Sequence, residues 1–408
     1  MGKSRAAEHR LFFAWLLEII NSRQVDALIV AGDIFDTGSP PSYAREMYNR
    51  FIVDIHRSGC QLIILAGNHD SVATLNESRE ILACLNTHVI SCVADDSSNF
   101  IIPLGTRTGE TGAILCAIPF IRSRDVTLSH SGQSTEEKQQ AMQQAIAAYY
   151  QDLYQQADNY RKENKLCVPV IMSGHLATVG ASTTDSVRDI YIGTLNAFPA
   201  SAFPAADYIA LGHIHKPQKV AKSEHIRYSG SPLALSFDEA ASSKSVLLLE
   251  FEGAKLKQLD SLKIPVWQPM QIIKGDLKQI EKQLKSLPDS FELDDEQRIW
   301  VEVVVSAEDY INDLQTHIQK FAEDLPIDIL RLRRERKQQA SALQIQQKET
   351  LQELAVMDVF ERRLREEYGE MDDSDKENRQ RQERIRHYFK QVLEQLETGT
   401  VTGSSQAE

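Results

Sequence analysis

At 408 residues, 42% hydrophobic and 25% charged, the chain has the length for two or three domains and the composition of a globular protein with ample core. No run of about 18 uncharged apolar residues occurs, which excludes a transmembrane helix and predicts a cytoplasmic protein with no membrane partner. A formal net charge of −13 argues against tight DNA binding through bulk electrostatics, and five cysteines without CxxC spacing argue for reduced thiols rather than a zinc-thiolate site.

Residues 1–120 alternate helix and strand. Directly after Met1–Arg5, Leu11, Phe12, Trp15, Leu16, Ile19 and Ile20 recur at helical spacing; with Glu18 and no small-residue cleavage site, the helix does not read as a signal peptide. Strand Ala27–Ala31, the turn Ser39-Pro40-Pro41, helix Tyr43–Arg57, strand Leu62–Ala66, helix Leu75–Leu85 and strand Thr111–Pro119 follow, the rhythm of an α/β sandwich. Glu136–Tyr160 reads as an amphipathic helix through Met142, Ile146, Tyr149, Tyr150 and Leu153. Strands at 168–175, 207–215, Ile226–Ser229, Ser245–Phe251 and Lys255–Ile264 complete a first domain, 1–264. Pro265 and Pro269 bracket a boundary. Beyond it the elements Met270–Lys274, Leu277–Leu287, Ile299–Ser306, Tyr310–Phe321 and Ile327–Leu332 form a small α+β domain, 265–336. Residues 337–397 are helical and charged, with apolar stripes from Leu343 to Leu364 and from Ile385 to Leu396 that suit either their own chain or a partner. The small, polar end, 398–408, is expected to be disordered.

Four apolar runs end in Gly, or Ser-Gly, followed at once by metal-binding side chains. Val25–Ala31 leads into Gly32-Asp33, Leu62–Ala66 into Gly67-Asn68-His69-Asp70, Val168–Met172 into Ser173-Gly174-His175, and Tyr208–Leu211 into Gly212-His213-Ile214-His215. Glycine lets the chain turn sharply where a buried strand ends, and open α/β sheets bind ligands beyond their carboxyl strand ends. Asp33, Asn68, His175, His213 and His215 can therefore converge on one rim. Oxygen and imidazole donors without thiolates suit Mn, Fe, Zn or Mg. Two such ions roughly 3.5–4 Å apart neutralise a phosphate and activate the entering water. Asp33 is the natural bridge, and His69, beside the candidate ligand Asn68, is placed to stabilise the transition state or protonate the leaving oxygen. Each piece has a plainer reading. Gly-Asp is often a turn, Asp36 a helix cap or loop holder, and His213-x-His215 two surface histidines on one strand face. Asp70 is read as the group that orients His69. Together, in this order and context, the four motifs outweigh the plainer readings.

The strings Gly32-Asp33-Ile34-Phe35-Asp36, Gly67-Asn68-His69-Asp70, Gly174-His175 and Gly212-His213-Ile214-His215 resemble the calcineurin-like metallophosphoesterases. The stretches Asp36–Arg45, Asp70–Arg79, Arg188–Leu195 and Gly230-Ser231-Pro232 narrow the resemblance to the SbcD family of nuclease subunits, over nearly the whole chain. That resemblance implies a Mn-dependent exonuclease on double-stranded DNA ends that also opens hairpins, with Mg as a lesser alternative. It implies work with the ATPase SbcC in DNA repair, recombination and replication, with two copies of each subunit. It also implies that Asp33 bridges two metals, that Asn68, His175 and His213 complete one site, that His215 belongs to the other, and that His69 is catalytic. The 265–336 domain would cap the site and admit DNA, and the 337–397 helices would grip the base of the SbcC coiled coil.

The family also opens with a strand ending in Asp-x-His, which supplies a carboxylate and an imidazole to the second metal; Met1–His9 contains no match, and Lys3-Ser4-Arg5 resembles the segment just after it. The expectation is a start assigned too late or a truncated chain. The second site then lacks two ligands, and the sheet keeps an exposed apolar edge. Two other functional readings follow. One is a non-catalytic or weakly active SbcC-binding subunit; the other is a small-molecule phosphodiesterase on the same fold. Arg331, Arg333, Arg334, Arg336 and Lys337 form the strongest basic cluster, readable as a DNA contact or as a solvated face.

Overall fold

The computed structural model describes residues 2–93, 97–126, 134–184, 197–291, 293, 297–306, 314–334 and 384–386. The chain divides into two compact units, Met1–Arg336 and Lys337–Glu408. Within the second unit residues 384–386 are helical; the remainder of the two expected apolar stripes lies outside the described residues, as do Arg188–Leu195, Arg336 and Lys337.

Helix α1 (Ala6–Ser22) buries Phe12, Leu16 and Ile20, spaced four apart on one face. It is followed by β1 (Ala27–Ala31), α2 (Ser42–Arg57), β2 (Gln61–Leu65), α3 (Val72–Asn76), α4 (Arg79–Ala83) and β3 (Thr87–Ile90). The strands pair in parallel in the order β1-β2-β3. All of β2 is buried. Its alternate residues face two cores, Ile63 and Leu65 one way, Leu62 and Ile64 the other, so it reads as a continuous apolar run. By contrast β1 ends its sheet, and its apolar residues are all only half-buried.

The second sheet has the order β4-β5-β6-β7-β9-β8, built from β4 (Ile101–Gly105), β5 (Thr111–Cys116), β6 (Val170–His175), β7 (Tyr208–Gly212), β8 (Gln218–Lys219) and β9 (Ile226–Tyr228). Between β5 and β6 lie α5 (Ser123–Val126) and the long α6 (Thr135–Glu163). A reciprocal cap between Ser134 and Glu137 starts α6, which buries Met142, Ile146, Tyr150 and Leu153 against this sheet. A hairpin of β10 (Ser245–Glu252) and β11 (Lys255–Lys263) closes this part of the chain.

Next come β12 (Met270–Gly275), α7 (Leu277–Ser286), β13 (Ile299–Val305), α8 (Leu314–Ala322) and β14 (Ile327–Arg334), a parallel β12-β13-β14 sheet with its own core around Ile273, Ile280, Leu284, Val301, Val303 and Ile318. Among the described residues, three contacts tie it to the preceding part of the chain. Phe237 packs on Met270 and Trp300, the Arg5 guanidinium lies 5.3 Å from the Trp300 ring centre, and Lys3 Nζ is 3.0 Å from Asp328. Arg333 and Arg331 flank the buried Glu302 carboxylate at 2.9 and 3.3 Å, so both cations have an intramolecular partner.

Two expectations need correction. The single helix Leu75–Leu85 is instead α3 and α4, because Ser78 leaves the helical region at φ −119°, ψ 11°, and the chain restarts there. The strands β3 and β4 were not expected: β3 is four residues long with His88 exposed, and Pro103 interrupts the pattern of β4. Proline is tolerated there because β4 is an edge strand. Among the described residues no helix is long and apolar enough to cross a membrane.

Candidate metal centre

Both sheets deliver side chains to one place. The turn after β1 puts Gly32 at φ +95° and Asp33 at φ +54°, and the turn after β7 puts His213 at φ +90°. A non-glycine residue held in the left-handed region is a local cost that the surrounding contacts must hold in place. Close approach explains two of the glycines. A Cβ at Gly67 would overlap the Asp33 carboxylate, and one at Gly212 would overlap the Ala31 carbonyl.

Asp70 holds the first two turns together. Its buried carboxylate accepts from the backbone N–H of Gly67 at 2.8 Å, Phe35 at 3.0 Å and Ile34 at 3.1 Å. Burial pushes its pKa up while these three bonds pull it down, and the balance is a raised value. Asp70 acts on His69 through the backbone of the turn that carries it, with its carboxylate on the N–H of Gly67. Asp36 supplies the contact to the ring, its carbonyl accepting from His69 Nδ1 at 2.9 Å. The His69 backbone N–H donates to Asp33 Oδ1 at 3.1 Å. Nε2 is thereby left as the acceptor nitrogen of His69, on a side chain that is 11% exposed.

His175 Nδ1 donates to the Ala31 carbonyl at 2.8 Å, which orients the ring and turns Nε2 inward. That nitrogen lies 2.9 Å from Asn68 Oδ1 and 3.2 Å from Asp33 Oδ2, and His213 Nδ1 stands 3.3 Å from the same Asn68 oxygen. Ligand atoms of Asp33, His175 and His213 lie within 4.8 Å of one another. In the absence of a metal, a proton on His175 Nε2 can be shared with these oxygens; a cation placed among the four atoms would replace it. The donor set therefore fits a divalent metal: one carboxylate, one amide oxygen and two imidazoles.

The electrostatics agree with that reading. Burial would raise Asp33, but the hydrogen bond and charge of His175 hold it at about 2. Burial would lower His175, but Asp33 more than offsets it and the pKa is raised. Burial, then the His175 charge, lowers His213 to about 3, which keeps the ring neutral with one nitrogen lone pair available. His215 reaches the same rim but is not in the three-residue cluster; its Nδ1 lies 3.0 Å from Glu239. Glu239 and its partner Lys244 were not singled out from sequence. The available signal, an acid and a lysine spaced in the Ala- and Ser-rich stretch Phe237–Lys244, is weak.

A profile of the calcineurin-like phosphoesterases matches residues 8–217, and one described as a type 5 capsule protein repressor C-terminal domain matches residues 266–368. The D subunit of the nuclease SbcCD from Escherichia coli (strain K12) is 50% identical over 97% of this chain and 94% of its own length. The proteins of the same name from Rhodobacter capsulatus and Bacillus subtilis are 33% and 30% identical, over 65% and 61% of this chain and 66% and 62% of their own. Among solved structures, a beta-glucosidase from Exiguobacterium marinum aligns with 76% of this chain and 72% of its own at a TM-score of 0.20 and 9% identity, a likeness too slight to bear on the fold. With the two-sheet fold, the cluster of Asp33, His175 and His213, and half the sequence shared along almost its entire length with such a subunit, the chain belongs to the calcineurin-like phosphoesterases, in their SbcD branch of nuclease subunits.

Proposed function

We propose that the chain is a Mn-dependent nuclease subunit that cuts double-stranded DNA ends and hairpins together with an SbcC ATPase, in a complex with two copies of each. The observation that carries this reading is the convergence of Asp33, Asn68, His175 and His213 lone pairs, in a chain half identical to a nuclease subunit. Asp33 would serve both ions, with Asn68, His175 and His213 holding one and His215 the other. When bound, the ions supply charge neutralisation of the phosphodiester and activation of the attacking water. Asp33 and Asn68 orient the donor set, and Ala31 holds the His175 ring. Held by Asp36 through Nδ1, His69 presents Nε2 toward the leaving oxygen and, protonated, returns a proton to it. The 265–336 domain flanks the site and admits DNA.

A purified preparation supplied with Mn is expected to cleave linear duplex and hairpin DNA, and to turn over a generic phosphomonoester poorly. Preferential hydrolysis of the phosphomonoester would instead support a small-molecule phosphodiesterase. One observation favours a second reading, a weakly active one-metal subunit that chiefly binds its ATPase partner: among the described residues a single group of three, Asp33, His175 and His213, gathers its ligand atoms closely enough for one ion. Counting bound Mn per chain separates the two.

The raised pKa of His175 gives a pH test. A metal must displace the proton that the ring holds in its absence, so Mn binding weakens as pH falls through that raised value and levels off above it. Calorimetry in buffers of different ionisation enthalpy should detect about one proton released per Mn below that pH, with affinity falling about tenfold per pH unit. An affinity that is flat across the imidazole range would remove His175 from the ligand set.

A further inference from the structure

Glu239 lies outside the donor set, yet its carboxylate is almost entirely buried, 1% exposed, at the end of a one-turn 3-10 helix, Phe237–Glu239. Oε1 accepts from His215 Nδ1 at 3.0 Å and from Thr184 Oγ1 at 2.8 Å. Oε2 accepts from Lys244 Nζ at 2.7 Å and from the Leu235 N–H at 3.0 Å. Lys244 Nζ also donates to the His215 carbonyl at 2.9 Å and to Ser231 Oγ at 2.7 Å. The pair thus grips His215 twice, by ring and by backbone. A buried carboxylate and ammonium contribute little net stability, because desolvation offsets their attraction. What this pair does provide is orientation. A carboxylate on Nδ1 fixes the tautomer, immobilises the ring and leaves Nε2 as the donor nitrogen for a metal.

The same turn has a second attachment. Two residues before Glu239, the Phe237 ring is buried against Met270 and Trp300 of the small domain, and Arg5 stacks on that Trp300 from the far end of the chain. One short turn is therefore seated on His215 at one side and on the neighbouring domain at the other.

We propose that Glu239, backed by Lys244, is the positioning residue of His215, and that the turn carrying it transmits the seating of the 265–336 domain to the metal centre. The proposal rests on the reading of His215 as a ligand. The test is ring-nitrogen NMR of the metal-free full chain labelled with ¹⁵N-histidine, the His215 signals being assigned by their loss in His215→Gln. The parent should show a protonated Nδ1 and an unprotonated Nε2. Glu239→Ala should shift His215 toward a tautomer mixture, and Glu239→Gln, which keeps an oxygen acceptor in place, should restore most of the parent pattern. Phe237→Leu, a mild apolar change that keeps the carboxylate, should move the same signals in the direction of Glu239→Ala. The second readout is Mn titration followed by EPR, where Glu239→Ala should weaken one class of bound Mn by about 10–100-fold and leave the other unchanged. His215 signals that ignore Glu239→Ala overturn the positioning role, and signals that ignore Phe237→Leu overturn the transmission. A changed tautomer with unchanged Mn binding overturns the ligand role of His215 while the positioning stands.

Discussion

Replacing His69 with Ala is expected to leave Mn binding intact and to lower DNA cleavage by about 10²–10⁴-fold, the range typical of losing a general acid or base. The side chain stands apart from the converging lone pairs; its Nδ1 is committed to the Asp36 carbonyl, and its Nε2 is outside the ligand cluster. Asp33→Ala should behave differently. Its carboxylate meets His175 Nε2 through one oxygen and the His69 N–H through the other, so its removal should abolish both metal binding and cleavage. Calorimetric Mn titration of the two variants, paired with cleavage of a linear duplex, makes the comparison. Equal loss of metal in both would make His69 a ligand and transfer the proton-handling role elsewhere.

Asp70→Ala is expected to cause the largest loss of stability of any single substitution near the site. It strands three backbone N–H groups, those of Ile34, Phe35 and Gly67, in a buried place. At about 1–3 kcal/mol for each unsatisfied buried group, and with incomplete additivity, a loss of about 3 kcal/mol or more is expected. In a domain of this size that lowers the thermal midpoint by roughly 5–10 °C. Asp70→Asn, which keeps acceptor oxygen on one side only, should fall between the two. Because these turns present Asp33, Asn68 and His69, the Ala variant should also bind Mn more weakly, even though Asp70 touches none of the donor atoms. A parent-like melt with parent-like Mn affinity would show that water replaces the carboxylate at no cost.

The convergence of these side chains was legible because the candidate ligand residues are poor strand formers placed where an apolar run stops. Asn68 and His69 after Leu62–Ala66, and His213 after Tyr208–Leu211, stand out against their neighbours, and each lies at the end of a parallel strand. Partnerships through space were less legible. Asp70 and Ile34 are 36 residues apart and meet through a backbone N–H, which carries no sequence signature. His215 and Glu239 are 24 residues apart, and Glu239 sits in a stretch whose composition suggests an ordinary surface loop. Local breaks were missed for a different reason. Ser78 and Pro103 act through backbone geometry, and side-chain periodicity registers neither the interruption of one helix nor the tolerance of one edge strand.

The donors are divided between two separate sheets, Asp33 and Asn68 after strands of one, His175 and His213 at the strand ends of the other. Where they meet, the fit is as close as bare backbone allows, Gly212 against the Ala31 carbonyl. The chemistry is consequently a property of the joint and of neither half. A fragment that kept one sheet intact would inherit half of the candidate donors, and a substitution that forced the joint open by the width of a methyl group would separate the halves while leaving every one of those residues in the sequence.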